Sequence, residues 1–282
     1  MPYLIYNGKL LDESTPLVGA DNRGLRFGDG LFETLKFSGG KLILADEHLP
    51  RLWKGLKDLQ FQLPALLTPE RLEEETLKLL AKNKKHYARV RWTFFRGDGG
   101  LYDPINLYPH YIIQTWDIPN PASSLNSNGL RLCIYPDARK SCDRFANIKH
   151  NNYLPYVMGA LYAREQHCND ALILNQYERI CDSTIANLFL IRQQVLMTPA
   201  LSEGCVAGIM RSFVLQACRK MGMETMETSI TREMLLEADE VFLTNSIYNM
   251  RWVSHLGETT YNHRTTMEIY RQIQQTNPDV FC

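Results

Sequence analysis

The sequence predicts an α+β protein of two domains, and three observations carry that expectation. Its 282 residues amount to two domains at roughly 150 residues each. Strand-like and helix-like periods are mixed throughout, with two hairpin signals crowded near the start, which argues against a doubly wound parallel sheet. One stretch, 119–129, is more loop-like than any other and reads as a linker between domains at 1–118 and 130–282.

Taken in order, Tyr3 to Tyr6 alternates as a short strand, Asn7-Gly8 gives a hairpin turn, and Lys9-Leu10-Leu11 returns. Leu31 to Phe37 alternates again, and Ser38-Gly39-Gly40 turns it into a second apolar run, Leu42 to Leu44. From His48 the spacing becomes helical, with Leu49, Leu52, Trp53, Leu56 and Leu59 on one face and Arg51 off it. Thr68-Pro69-Glu70 supplies an N-cap, a proline at the first helical position and an early acid for a helix over 68–85. Tyr87 to Phe95 and Tyr111 to Trp116 read as strands. Beyond the linker come a strand from Leu130 to Tyr135 and a helix over 152–166. Two more strands, Ala171 to Leu174 and Asn187 to Ile191, flank Ile180-Cys181-Asp182-Ser183-Thr184, which reads as a polar turn. A helix over 208–221, a strand from Glu240 to Thr244 and a helix over 265–275 complete the pattern.

Composition narrows the function classes. Apolar residues make up 45% and charged residues 22%, values that exclude disordered, collagen-like and coiled-coil chains. Lys+Arg and Asp+Glu are equal at 31 each, so no global charge steers nucleic acid, and a small-molecule enzyme is the better expectation. The seven cysteines form no C-x-x-C pair and there is no H-E-x-x-H, so no metal is expected. The N-terminus has neither a basic region nor a long apolar one, and no run approaches a membrane span; a cytoplasmic protein without disulfides is expected.

Five polar features stand where structure alone gives no reason for them. Lys149, between a loop and a helix, is placed where desolvation would free its amine to form an imine, although a loop lysine is ordinarily solvated. Asp182 lies between apolar runs; if buried, it needs a cationic partner. The small-residue stretch from Ser202 to Gly208 opens an apolar helix whose first N–H groups suit a phosphate, but it lacks the lysine of a nucleotide-binding loop. Arg51 can clamp a phosphate with its planar fork, and Thr244-Asn245-Ser246 can complete the same site. An amine nucleophile, a carboxylate for a ring nitrogen and a phosphate site are the parts that pyridoxal phosphate needs.

In their order and spacing, these residues resemble the fold-type IV pyridoxal-phosphate enzymes, a family that includes branched-chain aminotransferases, D-amino-acid transaminases and aminodeoxychorismate lyases. The likeness runs from Tyr3 to about Val253. Arg23-Gly24-Leu25-Arg26-Phe27-Gly28-Asp29-Gly30-Leu31-Phe32-Glu33 is similar to R-G-x-x-F-G-D-G-x-[FY]-E, and His48-Leu49-Pro50-Arg51-Leu52 resembles H-x-x-R-L, whose arginine holds the cofactor phosphate. Lys149-His150-Asn151-Asn152-Tyr153-Leu154 is similar to the K-x-x-N-Y-L around the Schiff-base lysine. Asp182 to Phe189 resembles E-x-x-x-x-N-[LV]-F with the glutamate one methylene shorter, and Gly208-Ile209-Met210-Arg211 resembles G-I-[TM]-R.

The resemblance implies roles. Lys149 carries the cofactor and moves the substrate's α-proton, Tyr153 reaches the cofactor's phenolic oxygen, and Asp182 faces the ring nitrogen. Arg51, Ile209, Met210 and Ser246 take the phosphate, while Phe32, Tyr102, Asn245 and Ile247 belong to the substrate pocket. The carboxylate-gripping arginine of the D-amino-acid branch is replaced by Leu101, and Phe32 stands where some members have tyrosine. The implied architecture is a two-domain fold-type IV enzyme, 130–282 being the cofactor-binding domain, assembled as a homodimer with the site near the subunit and domain boundary. The implied activity is transamination of the α-amino group of a branched-chain or D-amino acid. Gly208-Ile209-Met210-Arg211 and Leu243-Thr244-Asn245-Ser246-Ile247 look more like the lyases, so release of 4-aminobenzoate and pyruvate is the alternative. A cofactor- or small-ligand-binding protein with little activity is a third reading.

Overall fold

The computed structural model describes residues 2–118 and 125–281. The chain forms two compact units, Met1–Asn120 with Lys149–Asn152, and Pro121–Ile148 with Tyr153–Cys282. Each has its own sheet, and helices and strands mix in both, as α+β requires. Of the expected linker, 119–124 lies outside the described residues.

The first unit contains strands β1 (Tyr3–Tyr6), β2 (Lys9–Asp12), β3 (Gly30–Ser38), β4 (Lys41–Leu42), β5 (Ala88–Arg96) and β6 (Pro109–Asp117), in the order β2-β1-β6-β5-β3-β4. Its helices are α1 (Arg23–Phe27), α2 (Ala45–Asp58) and α3 (Pro69–Lys82). Side chains alternate between the faces of a strand, and the register pairs Leu35 with Val90 and Glu33 with Trp92, so both pairs share one face. On that face α2 buries Leu49, Leu52 and Leu56 beside β3, and α3 buries Leu72, Leu79 and Leu80 beside β1 and β6. Each such leucine contributes about 2 kcal/mol by burial. The opposite face carries Phe32, Arg91 and Thr93, all half-buried.

Two expected boundaries differ for visible reasons. The apolar run to Leu44 is strand only over Lys41–Leu42, because Leu44 turns into the left-handed region (φ 56°) and its carbonyl accepts from Glu47 and His48, starting α2 at Ala45. The second helix stops at Lys82 rather than 85, because the Asn83 side chain pairs with Tyr3 of β1 through two bonds of 2.8 Å.

The second unit contains β7 (Leu130–Lys140), β8 (Asp170–Asn175), β9 (Ile180–Ser183), β10 (Asn187–Arg192), β11 (Val195–Pro199), β12 (Thr225–Thr228), β13 (Glu240–Asn245), β14 (Asn249–Leu256) and β15 (Thr259–Thr260). They form one sheet in the order β12-β11-β10-β13-β14-β7-β8-β9, with β15 beside β14. Its helices are α4 (Leu154–Glu165), α5 (Ile209–Lys220), α6 (Arg232–Leu236) and α7 (Arg264–Thr276). The expected polar turn at 180–184 is mostly strand: β9 runs antiparallel to β8, pairing Asp182 with Ile173, and all four residues of β9 are buried. Strands β11, β12 and β14 were not expected, since Asn249, Arg251, Ser254 and His255 break the apolar alternation of β14 although Trp252, Val253 and Leu256 are buried. Among the described residues no helix is long and apolar enough to cross a membrane.

Candidate active site

In the first unit, the segment carrying Lys149 is fixed by its backbone. Phe32 donates its N–H to the Lys149 carbonyl at 2.9 Å, Asn151 donates to the Gly30 carbonyl at 2.8 Å, and Leu31 and His150 form a bridge. The segment therefore pairs with the start of β3. Gly30 is required there, because a Cβ would lie 2.0 Å from the Phe94 carbonyl oxygen. From this support the Lys149 ammonium lies 4.5 Å from the centre of the Phe32 ring, and the Arg91 guanidinium lies 3.8 Å from the same centre. Two cations thus share one aromatic ring, and a neighbouring cation is one of the settings in which a lysine amine serves as a nucleophile.

Arg51 is set by a carboxylate beneath it. Glu33 points from β3 toward α2, where Arg51 donates Nε–H to its Oε1 at 2.8 Å and Nη2–H to its Oε2 at 2.6 Å. His48, one helical turn earlier, meets Oε2 through Nδ1 at 2.7 Å. Burial alone would raise the Glu33 pKa, but Arg51 and His48 outweigh it and hold the carboxyl down at about 2. Burial lowers the pKa of His48, so its neutral ring donates from Nδ1. This bidentate pairing fixes the guanidinium plane.

The rest of the glycine-rich segment is structural. Arg23 and Arg96 both pair with Asp29, Arg23 at 2.9 Å, and these groups line a cleft of about 460 Å³ together with Tyr102. Tyr102 itself is 90% exposed on the rim.

In the second unit, β9 presents Asp182, only 2% exposed. Its Oδ2 accepts from the Lys140 ammonium at 3.0 Å, the Tyr156 hydroxyl at 2.9 Å and the Val206 N–H at 3.0 Å, and its Oδ1 accepts from the Asn187 amide at 2.9 Å. The buried carboxylate thus has the cationic partner its burial demands. Asn187 also faces Gly208, where a Cβ would meet its Oδ1 at 1.8 Å. Gly208 caps α5 without a side-chain bond, so no capping side chain serves the N–H groups of its first turn, which begins with buried Ile209 and Met210. Near the end of β13 the buried Thr244 hydroxyl oxygen has no hydrogen-bond partner among the described residues, and Ser246 follows in the turn to β14. Tyr153 is the exposed N-cap residue of α4. The Asn245 side-chain oxygen accepts from Ile247 and Tyr248 N–H groups, at 3.0 and 2.8 Å, which gives it a turn-forming part.

The Amino-transferase class IV family profile matches residues 30–256. The chain belongs to the class IV aminotransferases. The chain is 28% identical to a D-alanine aminotransferase of Bacillus licheniformis over 86% of this chain and 84% of that one. The structure of 4-amino-4-deoxychorismate lyase from Pseudomonas aeruginosa superposes with a TM-score of 0.85 at 27% identity, covering 97% of this chain and 99% of that one. The branched-chain aminotransferase of Thermoproteus uzoniensis shares the fold, with a TM-score of 0.87 at 23% identity over 99% and 95% of the two chains.

Sequence reasoning singled out Lys149, Arg51 and Asp182 but gave no role to Glu33, Arg91, Lys140, Tyr156 or Asn187. One signal was readable for Glu33: it interrupts the core-facing series Leu31, Leu35, Phe37 of a class IV aminotransferase strand. For Lys140 there was none, since Arg139-Lys140-Ser141 reads as solvated loop.

Proposed function

We propose that the protein is a pyridoxal-phosphate-dependent aminotransferase acting on the α-amino group of an amino acid, with Lys149 as the residue that carries the cofactor. The observation that carries this reading is the Lys149 ammonium held over Phe32 by the pairing of its own backbone with β3. The residues fit the group: the start of α5, which has no side-chain cap, and the buried Thr244 hydroxyl suit a phosphate, and Asp182 is a buried carboxylate paired with the Lys140 ammonium. When bound, pyridoxal phosphate supplies a conjugated ring that accepts the electron pair left at the substrate's α-carbon.

The first unit offers Lys149 and Arg51; the second offers Asp182, Tyr153, Ile209, Met210 and Ser246. Lys149 would hold the cofactor covalently, and its amine, when free, would serve as the general base and then the general acid for the substrate's α-proton. Arg51, with its plane fixed by Glu33, the N–H groups of Ile209 and Met210, and the Ser246 hydroxyl are the groups that would hold the phosphate. Tyr153 would hold the phenolic oxygen and Asp182 the ring nitrogen. Arg91, over the ring that Lys149 shares, is the cation that receives a substrate carboxylate in place of the position occupied by Leu101. Phe32 forms the apolar floor, with Ile247, Asn245 and Tyr102 as further pocket residues.

The test is a half-reaction on the loaded protein with single L- and D-amino acids and no keto-acid acceptor. The expected result is loss of the visible-edge absorbance and release of one equivalent of keto acid. Inertness toward every amino acid, with aminobenzoate released from aminodeoxychorismate, would replace this reading by the lyase one.

A homodimer in the cytoplasm completes the proposal. Its support is a stripe on α4, where Leu154, Val157, Met158 and Leu161 recur at helical spacing and stay exposed, together with free thiols such as Cys133 and Cys181. Light scattering is expected to give twice the chain mass, and a monomer mass would remove this part.

A further inference from the structure

Resting on the cofactor reading above, we propose that Lys140 is a positioning residue for Asp182: its buried ammonium holds and orients the carboxylate, and by sharing that carboxylate it weakens the hold on a proton at the cofactor's ring nitrogen.

The argument starts from a count of acceptors. An ionised carboxylate offers about four lone-pair directions, two on each oxygen. Among the described residues, Oδ2 of Asp182 already takes three donors, from Lys140, Tyr156 and Val206, whereas Oδ1 takes only Asn187. The remaining capacity for a ring N–H is therefore on Oδ1. Lys140 also donates to the Tyr156 hydroxyl at 2.6 Å, so ammonium, phenol and carboxylate form a closed triangle. Such a triangle pins an aspartate whose side chain is one methylene shorter than glutamate.

Charge gives the second half. The Lys140 and Asp182 side chains are 9% and 3% exposed, so water screens their pair little. One ammonium already balances one carboxylate, and a protonated ring nitrogen brings a second cation to the same anion. A like charge nearby disfavours the protonated form. The other groups packed here do not add an anion: burial, then Asp182, raises the Tyr156 phenol well above its usual range, burial does the same for Cys181, and it pushes Cys205 up to about 12. Arg211, which acts on Cys205, pairs with Glu227 at 2.7 Å. Burial works against the charge of Lys140, but Asp182 outweighs it and leaves the lysine protonated.

The experiment loads the full-length protein with ring-¹⁵N pyridoxal phosphate and follows the nitrogen resonance with pH. Lys140→Gln keeps a donor toward Asp182 and removes only the charge; Lys140→Met removes both; Lys140→Arg retains the charge. The two neutral variants are expected to hold the ring proton about tenfold more tightly, one pH unit upward, while Lys140→Arg follows the wild type. If Lys140→Met does not fold, Lys140→Gln alone decides. An unmoved or downward-moving titration in a neutral variant that binds the cofactor overturns the role of Lys140 and leaves that of Lys149 standing. Absence of any bound resonance in the wild type overturns the cofactor reading itself, and this inference with it.

Discussion

Lys149→Ala yields a folded protein that shows no visible-edge absorbance with pyridoxal phosphate and turns over no amino acid. The fold survives because the contacts that place the segment are main-chain bonds, from Phe32 to the Lys149 carbonyl and from Asn151 to Gly30, and none needs the ammonium. Turnover is lost because, in the function proposed, one amine both attaches the cofactor and moves the α-proton. A positioned acid-base group alone accounts for about 10²–10⁴-fold in rate, so the combined loss is at least about 10⁴-fold. Circular dichroism like the wild type's with absent turnover is the expected pair of results. Wild-type turnover would remove Lys149 from the chemistry.

The second large effect falls on Glu33, which touches no substrate in this account. Glu33→Ala removes the carboxylate that Arg51 and His48 share, in partly or fully buried surroundings. Removing one partner of a buried pair costs about 3–5 kcal/mol, which for a chain of this size lowers the melting temperature by roughly 10 °C. Phosphate affinity should fall as well, because the guanidinium loses the fork that sets its plane.

Acid separates this pair from others. The folded Glu33 pKa lies at about 2, below its ordinary 4.5. Its contribution is therefore fully present above about pH 4.5 and is lost as pH falls toward 2. Urea unfolding of Glu33→Gln across that window should lack part of the wild-type acid loss. An identical acid profile in the two proteins would assign the loss to other carboxylates.

Much of this was legible in the chain because it rests on local periodicity or on ordered motifs. The two hairpins, the amphipathic faces of α2 and α3 and the apolar helix after Gly208 follow from spacing alone. The sequence points to Asp182 but reads it as part of a turn, because a strand that buries a carboxylate has no apolar alternation to announce it. What makes that strand possible is Lys140, 42 positions away in sequence, together with Tyr156 and Asn187. Arg91 was hidden for a related reason: it lies on the face of β5 opposite the core, where an arginine reads as surface, and only the register to β3 sets it over Phe32. The signals absent from the sequence are those created when distant segments share a charge.

The central claim is that Lys149 bears the cofactor. Borohydride reduction of the protein loaded with pyridoxal phosphate, followed by peptide mapping by mass spectrometry, tests it directly. The account predicts a phosphopyridoxyl group on Lys149, in the peptide that contains Asn151 and Asn152. A stable label on any other lysine, with Lys149 unmodified, would contradict it.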